Sequence, residues 1–226
     1  PLLPTSLNDI SLGSNNLTSL PSLPPRLGSL DVESNKITTI PTLPSSMWSL
    51  NIGNNPLVTF PNLPDSLMYL YCYNLNLTQL PALPGTLILL SCEGNKLTSL
   101  PVLPPNFGKL FCSNNPLGSL PLLPDRMVYL ICDNIGLTSL PTLPTFLFEL
   151  SCQGNPYISI PALPAGLKHF NCAADSLDVL PILPLGLNSL YCDYNRLKTL
   201  PDLPVSLDLL SCQVNRLDSL PNLPVT

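Results

Sequence analysis

Leucine and its apolar substitutes fall at fixed places along this chain, and the places recur every twenty residues without insertion or deletion. Leu20-Pro21, Ile40-Pro41, Phe60-Pro61 and Leu80-Pro81 set the step, which continues to Leu220-Pro221. Counted from its first proline, the unit reads P-x-L-P-x-x-L-x-x-L-x-C-x-x-N-x-L-x-x-L. A fixed period of this size marks a repeat architecture, in which each unit buries its apolar side by stacking on its neighbours. The pattern divides 1–226 into a single solenoid of eleven repeats, 1–20, 21–40, 41–60, 61–80, 81–100, 101–120, 121–140, 141–160, 161–180, 181–200 and 201–220, followed by a partial repeat 221–226, with no capping segment seen.

The pattern inside the unit predicts its elements. Tyr69-Leu70-Tyr71-Cys72-Tyr73 has the form of a strand, whose successive side chains take opposite faces. Leu70 and Cys72 then point inward and the tyrosines outward. One short strand per repeat, always in the same sense, predicts a parallel sheet with strands ~4.8 Å apart. Two prolines per unit fix φ, remove two donors and push the preceding residues to extended geometry. No helix can run through P-x-L-P, so the return path is predicted to be extended, in the polyproline-II range. Column fifteen is Asn in eight of eleven repeats, which predicts a ladder of buried side-chain amides serving turn backbone. Leu75, Ile135 and Asp175 interrupt it, and local irregularity is expected there.

The run Leu87-Ile88-Leu89-Leu90-Ser91-Cys92-Glu93-Gly94-Asn95-Lys96-Leu97 matches the L-x-x-L-x-C-x-x-N-x-L segment of leucine-rich repeats, with Cys in one Leu slot. With the flanking LPxLP, the chain resembles the bacterial short-repeat subclass known from YopM- and IpaH-type effectors. The resemblance covers every repeat. It implies a leucine-rich-repeat solenoid, formally of the α/β class but nearly all β, with the strands on a concave face and little or no helix. It also implies a host-protein partner. The helical cap and the ubiquitin-ligase domain that accompany such repeats in those effectors are not seen in these residues.

Composition narrows the function classes. Apolar residues make up 45% of the chain and charged ones 10%, and the net charge is −5. Nine scattered Lys and Arg form no basic stripe of the kind nucleic acid requires. No apolar run approaches the ~20 residues of a membrane-spanning helix. Cys72, Cys92, Cys112, Cys132, Cys152, Cys172, Cys192 and Cys212 share one column with Leu12, Val32 and Ile52. Neighbouring Cβ atoms in register stand near the ~4.8 Å strand spacing, longer than the ~3.5–4.5 Å of a disulfide. A straight row also cannot surround zinc. The column is therefore read as small hydrophobes in a narrow core. No cofactor or metal is expected.

Glu149, His169 and Ser189 occupy column nine of consecutive repeats and form the one array reminiscent of a hydrolase triad. An open sheet face supplies no oxyanion hole, so the array is read as a polar face and the protein as no enzyme. The candidate binding residues are aromatic and aliphatic. Tyr69, Tyr71, Tyr73, Leu89, Phe111, Tyr129 and Ile131 should form one patch over repeats 4 to 7, with Tyr191 and Tyr194 a smaller group on repeat 10. Exposed apolar patches mark partner sites, and Tyr is a frequent anchor. The expected partner is a protein, with a glycan second. Two other readings are an end-to-end filament or surface layer, built by self-association through uncapped ends, and a recognition module of a larger effector. The expected location is extracellular, cell-surface or secreted, or the host cytosol for a translocated effector. Asn16-Leu17-Thr18 and Asn76-Leu77-Thr78 spell the N-glycosylation acceptor pattern, which an Asn- and Thr-rich repeat produces readily by chance.

Overall fold

In a computed structural model, residues 3–156 and 159–221 are described, so most of the partial repeat (222–226) lies outside them. Eleven three-residue strands run from β1 (Asp9–Ser11) to β11 (Leu209–Ser211), one per repeat. Between them lie β2 (Ser29–Asp31), β3 (Ser49–Asn51), β4 (Tyr69–Tyr71), β5 (Leu89–Ser91), β6 (Lys109–Phe111), β7 (Tyr129–Ile131), β8 (Glu149–Ser151), β9 (His169–Asn171) and β10 (Ser189–Tyr191). They form one parallel sheet in chain order, with identical columns in register, such as Leu70 opposite Leu90 and Phe111 opposite Ile131. There is no helix among the described residues.

Why the register holds is plain from the interior. Leu30, Leu50, Leu70, Leu90 and Leu110 of column ten are shut away from water, as are Leu27, Met47, Leu67, Leu87 and Phe107 of column seven. A slip of one residue would turn column ten out and the polar columns in. The prolines shape the opposite side. In each repeat the carbonyl of the second proline accepts from the N–H three residues on, as in Leu27 N to Pro24 O at 3.1 Å and Leu187 N to Pro184 O at 3.0 Å. This β-turn, which begins at the second proline, reverses the chain just before the strand. It also explains why column eight faces outward although strict alternation from column ten would turn it in.

A second bend follows each strand. Column fourteen is left-handed in all eleven repeats, with φ between +53° and +71°. Ser, Asn and Gly fill most of these places; Asn and Gly accept that geometry readily. Ala174, Tyr194 and Val214 accept it at a cost. The asparagine ladder closes this bend. Asn115 Nδ2 donates to the Cys92 and Cys112 carbonyls at 3.0 Å each, while its Oδ1 accepts from Leu97 N at 3.0 Å. Each ladder asparagine from Asn35 onward thus sews its coil to the one before. The irregularity expected at Leu75, Ile135 and Asp175 is present: a second left-handed residue follows at Asn76 (φ 59°), Gly136 (φ 75°) and Ser176 (φ 60°).

Cysteines 72 to 192 are buried, and Cys212 at the last strand is half-buried. Cys132 and Cys192 each direct Sγ at a carbonyl of the next coil, at 3.4 Å. Burial, the dominant effect, pushes the Cys192 thiol up to about 12, with the charges of Cys212 and Asp193 adding to it. Thiolate is the reactive form. A thiol reagent added to the folded protein is therefore expected to modify Cys212 first, with the others reacting only as the chain unfolds. Rapid labelling of several cysteines in the native protein would contradict this burial.

Candidate functional site

The outward side chains of columns eight, nine, eleven and thirteen build the sheet face. Tyr69, Tyr71, Phe111, Tyr129 and Ile131 all lie there, half-buried, on neighbouring strands. Leu89 does not join them as an exposed contact. It is 7% exposed, in register between Tyr69 and Lys109, and so forms the floor of the patch. Tyr73 is also committed to the scaffold. Its hydroxyl donates to the Glu33 carboxylate two coils away, and its ring lies where a Cβ on Gly53 would stand, 2.6–2.8 Å from that position. The short contact with Tyr73, then the Asn51 amide at 3.1 Å, draws the Glu33 carboxyl below its ordinary range.

Sequence reasoning missed column eight. Trp48 (43% exposed) and Phe148 (37% exposed) stand there, with Met68, Ile88 and Val128 half-buried between them. Trp48 lies over Gly28, where a Cβ would meet its Nε1 at 2.5 Å, and packs edge-on against Tyr69 at 6.1 Å between centroids. Phe148 contacts Tyr129 (6.0 Å) on one side and His169 (5.3 Å) on the other. Lys109 Nζ sits 4.6 Å above the Tyr129 ring. The result is an aromatic and aliphatic field from repeat 3 to repeat 9. Its signal was legible: column eight runs Trp48, Met68, Ile88, Gly108, Val128, Phe148 through the middle of a chain that is polar there at both ends (Asn8, Asn188, Asp208).

The smaller group divides. Tyr191 is on β10, whereas Tyr194 is 63% exposed at the left-handed bend beyond it. Asn16 and Asn76 are both exposed. Glu149, His169 and Ser189 do come side by side, lining a shallow cleft of about 320 Å³ with Tyr191, and His169 Nδ1 lies 2.8 Å from Ser189 Oγ. The nearby amides are already spent on the sheet, since Ser189 N donates to the Lys168 carbonyl and Cys192 N to that of Ser211. An oxyanion formed at Ser189 would find no donors waiting among them. Among the described residues no cluster of His, Cys, Asp or Glu could hold a metal ion, and no helix is long and apolar enough to cross a membrane.

A parallel solenoid with one strand, one Asn rung and one inward Leu/Cys pair per twenty residues is a leucine-rich-repeat fold, and the chain is a leucine-rich-repeat protein with a cysteine column. The solved structures it resembles are bacterial. YopM from Yersinia enterocolitica WA-314 is 33% identical, with a TM-score of 0.74 over 96% of this chain and 58% of that one. YopM from Yersinia pestis, a leucine-rich effector protein, is 28% identical (TM-score 0.63; 96% of this chain, 80% of that one). The functional domain of InlJ from Listeria monocytogenes, which includes a cysteine ladder, is 21% identical (TM-score 0.65; 95% and 60%). The chain thus spans 58% of the Yersinia enterocolitica protein's length. No protein-family profile and no curated protein sequence matches the chain. The fold places it in general among interaction scaffolds.

Proposed function

We propose that the protein is a binding scaffold that grips a protein partner on its sheet face, over the aromatic field of repeats 3 to 9. The observation that carries this is the row Trp48–Tyr69 and Tyr129–Phe148–His169, its rings packed edge-on or tilted against one another yet left partly open to water. Stabilising the sheet alone would not require Trp48 and Phe148 to stay exposed. Half-exposed aromatics supported by neighbours are the groups that anchor interfaces, because they bring large area at little entropic cost. The resemblance to Yersinia effectors supports a place of action outside the producing cell, at a surface or inside a host.

The test uses displayed peptides selected on the unaltered protein. Substituting Trp48→Ser, Tyr69→Ser and Tyr129→Ser together is expected to weaken the selected binders at least tenfold, while the melting temperature moves only by a few degrees. Binders that keep their affinity for the triple variant would remove the sheet face as the site.

A further inference from the structure

The charges of the sheet face say what kind of partner it fits. Columns eight to thirteen carry Asp9, Asp31, Glu33, Glu93, Asp133, Glu149, Asp193 and Asp208, against only Lys109 and Lys168 as lysines. Both lysines are engaged: Lys109 lies over the Tyr129 ring, and Lys168 Nζ donates to the Gly186 carbonyl at 2.9 Å. Of the chain's other cations, Lys36, Lys96, Arg196, Lys198 and Arg216 stand beyond the second bend, and Arg26 and Arg126 in the turn before the strand. The excess of negative charge therefore falls on the face that also carries the aromatics, while elsewhere acids and cations nearly balance.

Two of these carboxylates sit at the centre of that face without a cation. Glu93 accepts from Ser91 Oγ at 2.6 Å, and Asp133 from Ser151 Oγ at 2.7 Å and Gln153 N at 2.9 Å. Both are half-buried; Ser91, which holds Glu93, stands in register between Tyr71 and Phe111, and Ser151, which holds Asp133, stands opposite Ile131. Burial, the leading cause in each case, pushes both carboxyls up, and the serine hydroxyls only partly offset it. A partly desolvated carboxylate without a counter-ion is a site whose energy a guanidinium or ammonium would lower. Aromatic faces nearby add to the attraction for the same groups.

Spacing adds a geometric constraint. Column thirteen bears acids at Glu33, Glu93, Asp133 and Asp193, that is, after three, two and three coils. At the strand spacing these intervals are roughly 14, 10 and 14 Å. An extended chain advances ~3.1–3.4 Å per residue, so side chains three to five residues apart span the same intervals.

We infer that the partner of this face is a basic extended polypeptide segment that lies across the strands, its Lys or Arg side chains three to five residues apart on the column-thirteen carboxylates and its apolar side chains on the Trp48–Phe148 field. This rests on the binding face proposed above and specifies its ligand.

The probe is a synthetic extended peptide with Lys at every third or fourth position and Leu between. It is compared with the same peptide carrying Gln for Lys, by titration calorimetry on the whole chain at 50 and 300 mM salt. Glu93→Gln with Asp133→Asn is expected to weaken the Lys peptide at least tenfold and to flatten its salt dependence. Asp65→Asn with Asp125→Asn, which removes the same charge from exposed turn positions on the other side, is expected to leave it unchanged. Equal losses from both pairs, or none from the first, would overturn the inference. A Gln peptide that binds as tightly as the Lys peptide, yet is lost on Trp48→Ser, would overturn the basic partner while leaving the face itself standing. Melting curves of the two paired variants separate these results from misfolding.

Discussion

Replacing Asn155 with alanine is expected to destabilise the protein by about 3 kcal/mol or more, several times the cost of Asn35→Ala, measured by urea unfolding of the two variants side by side. Both residues are ladder asparagines, and a sequence view ranks them equal. The structure does not. Removing Asn35 orphans chiefly Leu17 N, because the Leu12 carbonyl keeps Asn15 Nδ2 and the Val32 carbonyl keeps Asn55 Nδ2. Asn155 has gaps on both sides. Its Oδ1 accepts from Ile135 N and Leu137 N, and its Nδ2 donates to the Cys152 carbonyl and to the Cys132 carbonyl, where Ile135 offers no second side-chain amide. Three buried backbone groups, Ile135 N, Leu137 N and the Cys132 carbonyl, thus lose the partner that Asn155 gives them, each at about 1–3 kcal/mol. Equal losses at the two sites would mean that the carbonyls find other donors.

The opposite sign is expected one rung further on. Asp175→Asn should stabilise the protein, by up to about 4 kcal/mol at neutral pH. Asp175 is closed off from water, where its Oδ1 accepts from Asn155 N at 2.7 Å and its Oδ2 lies 3.9 Å from Cys152 Sγ. Desolvation, the largest cause, with the charge of Asp133 adding to it against the Asn155 hydrogen bond, pushes the carboxyl up to about 7. Below its ordinary range both folded and unfolded chains hold the proton, and the site costs nothing. Between about 4 and about 7 the unfolded chain releases the proton while the folded chain keeps it, so stability falls as pH rises; above about 7 the loss is complete. An amide at this position has no such slope and can donate to the Cys152 and Cys172 carbonyls as its counterparts do. The gain should therefore be small at pH 4 and greatest above pH 7 in thermal melts. A gain independent of pH would point to restored hydrogen bonds alone.

The period and the inward columns were legible in the sequence because every repeat restates them, so that Leu70, Leu90 and Leu110 confirm one another. The column-fifteen ladder and its three irregular places were legible for the same reason. Column fourteen was harder. Its left-handed bend is written in Ser, Asn and Gly, yet Tyr194 and Val214 break that code and read as ordinary surface. The face was only half legible. Alternation placed Tyr69 and Tyr129 correctly, but the β-turn from the second proline shifts the phase before the strand, so Trp48 and Phe148 turn outward against the alternating pattern. Tyr73 and Leu89 show the reverse limit. Whether an outward residue is open depends on what its neighbours reach over, such as the bare Gly53 beneath the Tyr73 ring, and that is a property of pairs of coils.

Every strand pairs only with the strands directly before and after it in the chain. No coil knows how many others there are. Loss or gain of one whole coil in the gene would leave the remainder able to close up on itself and would change only a distance, moving the groups on either side of the join nearer or farther by one strand width. The sheet face is in this sense a ruler whose length can change while the fold stays the same.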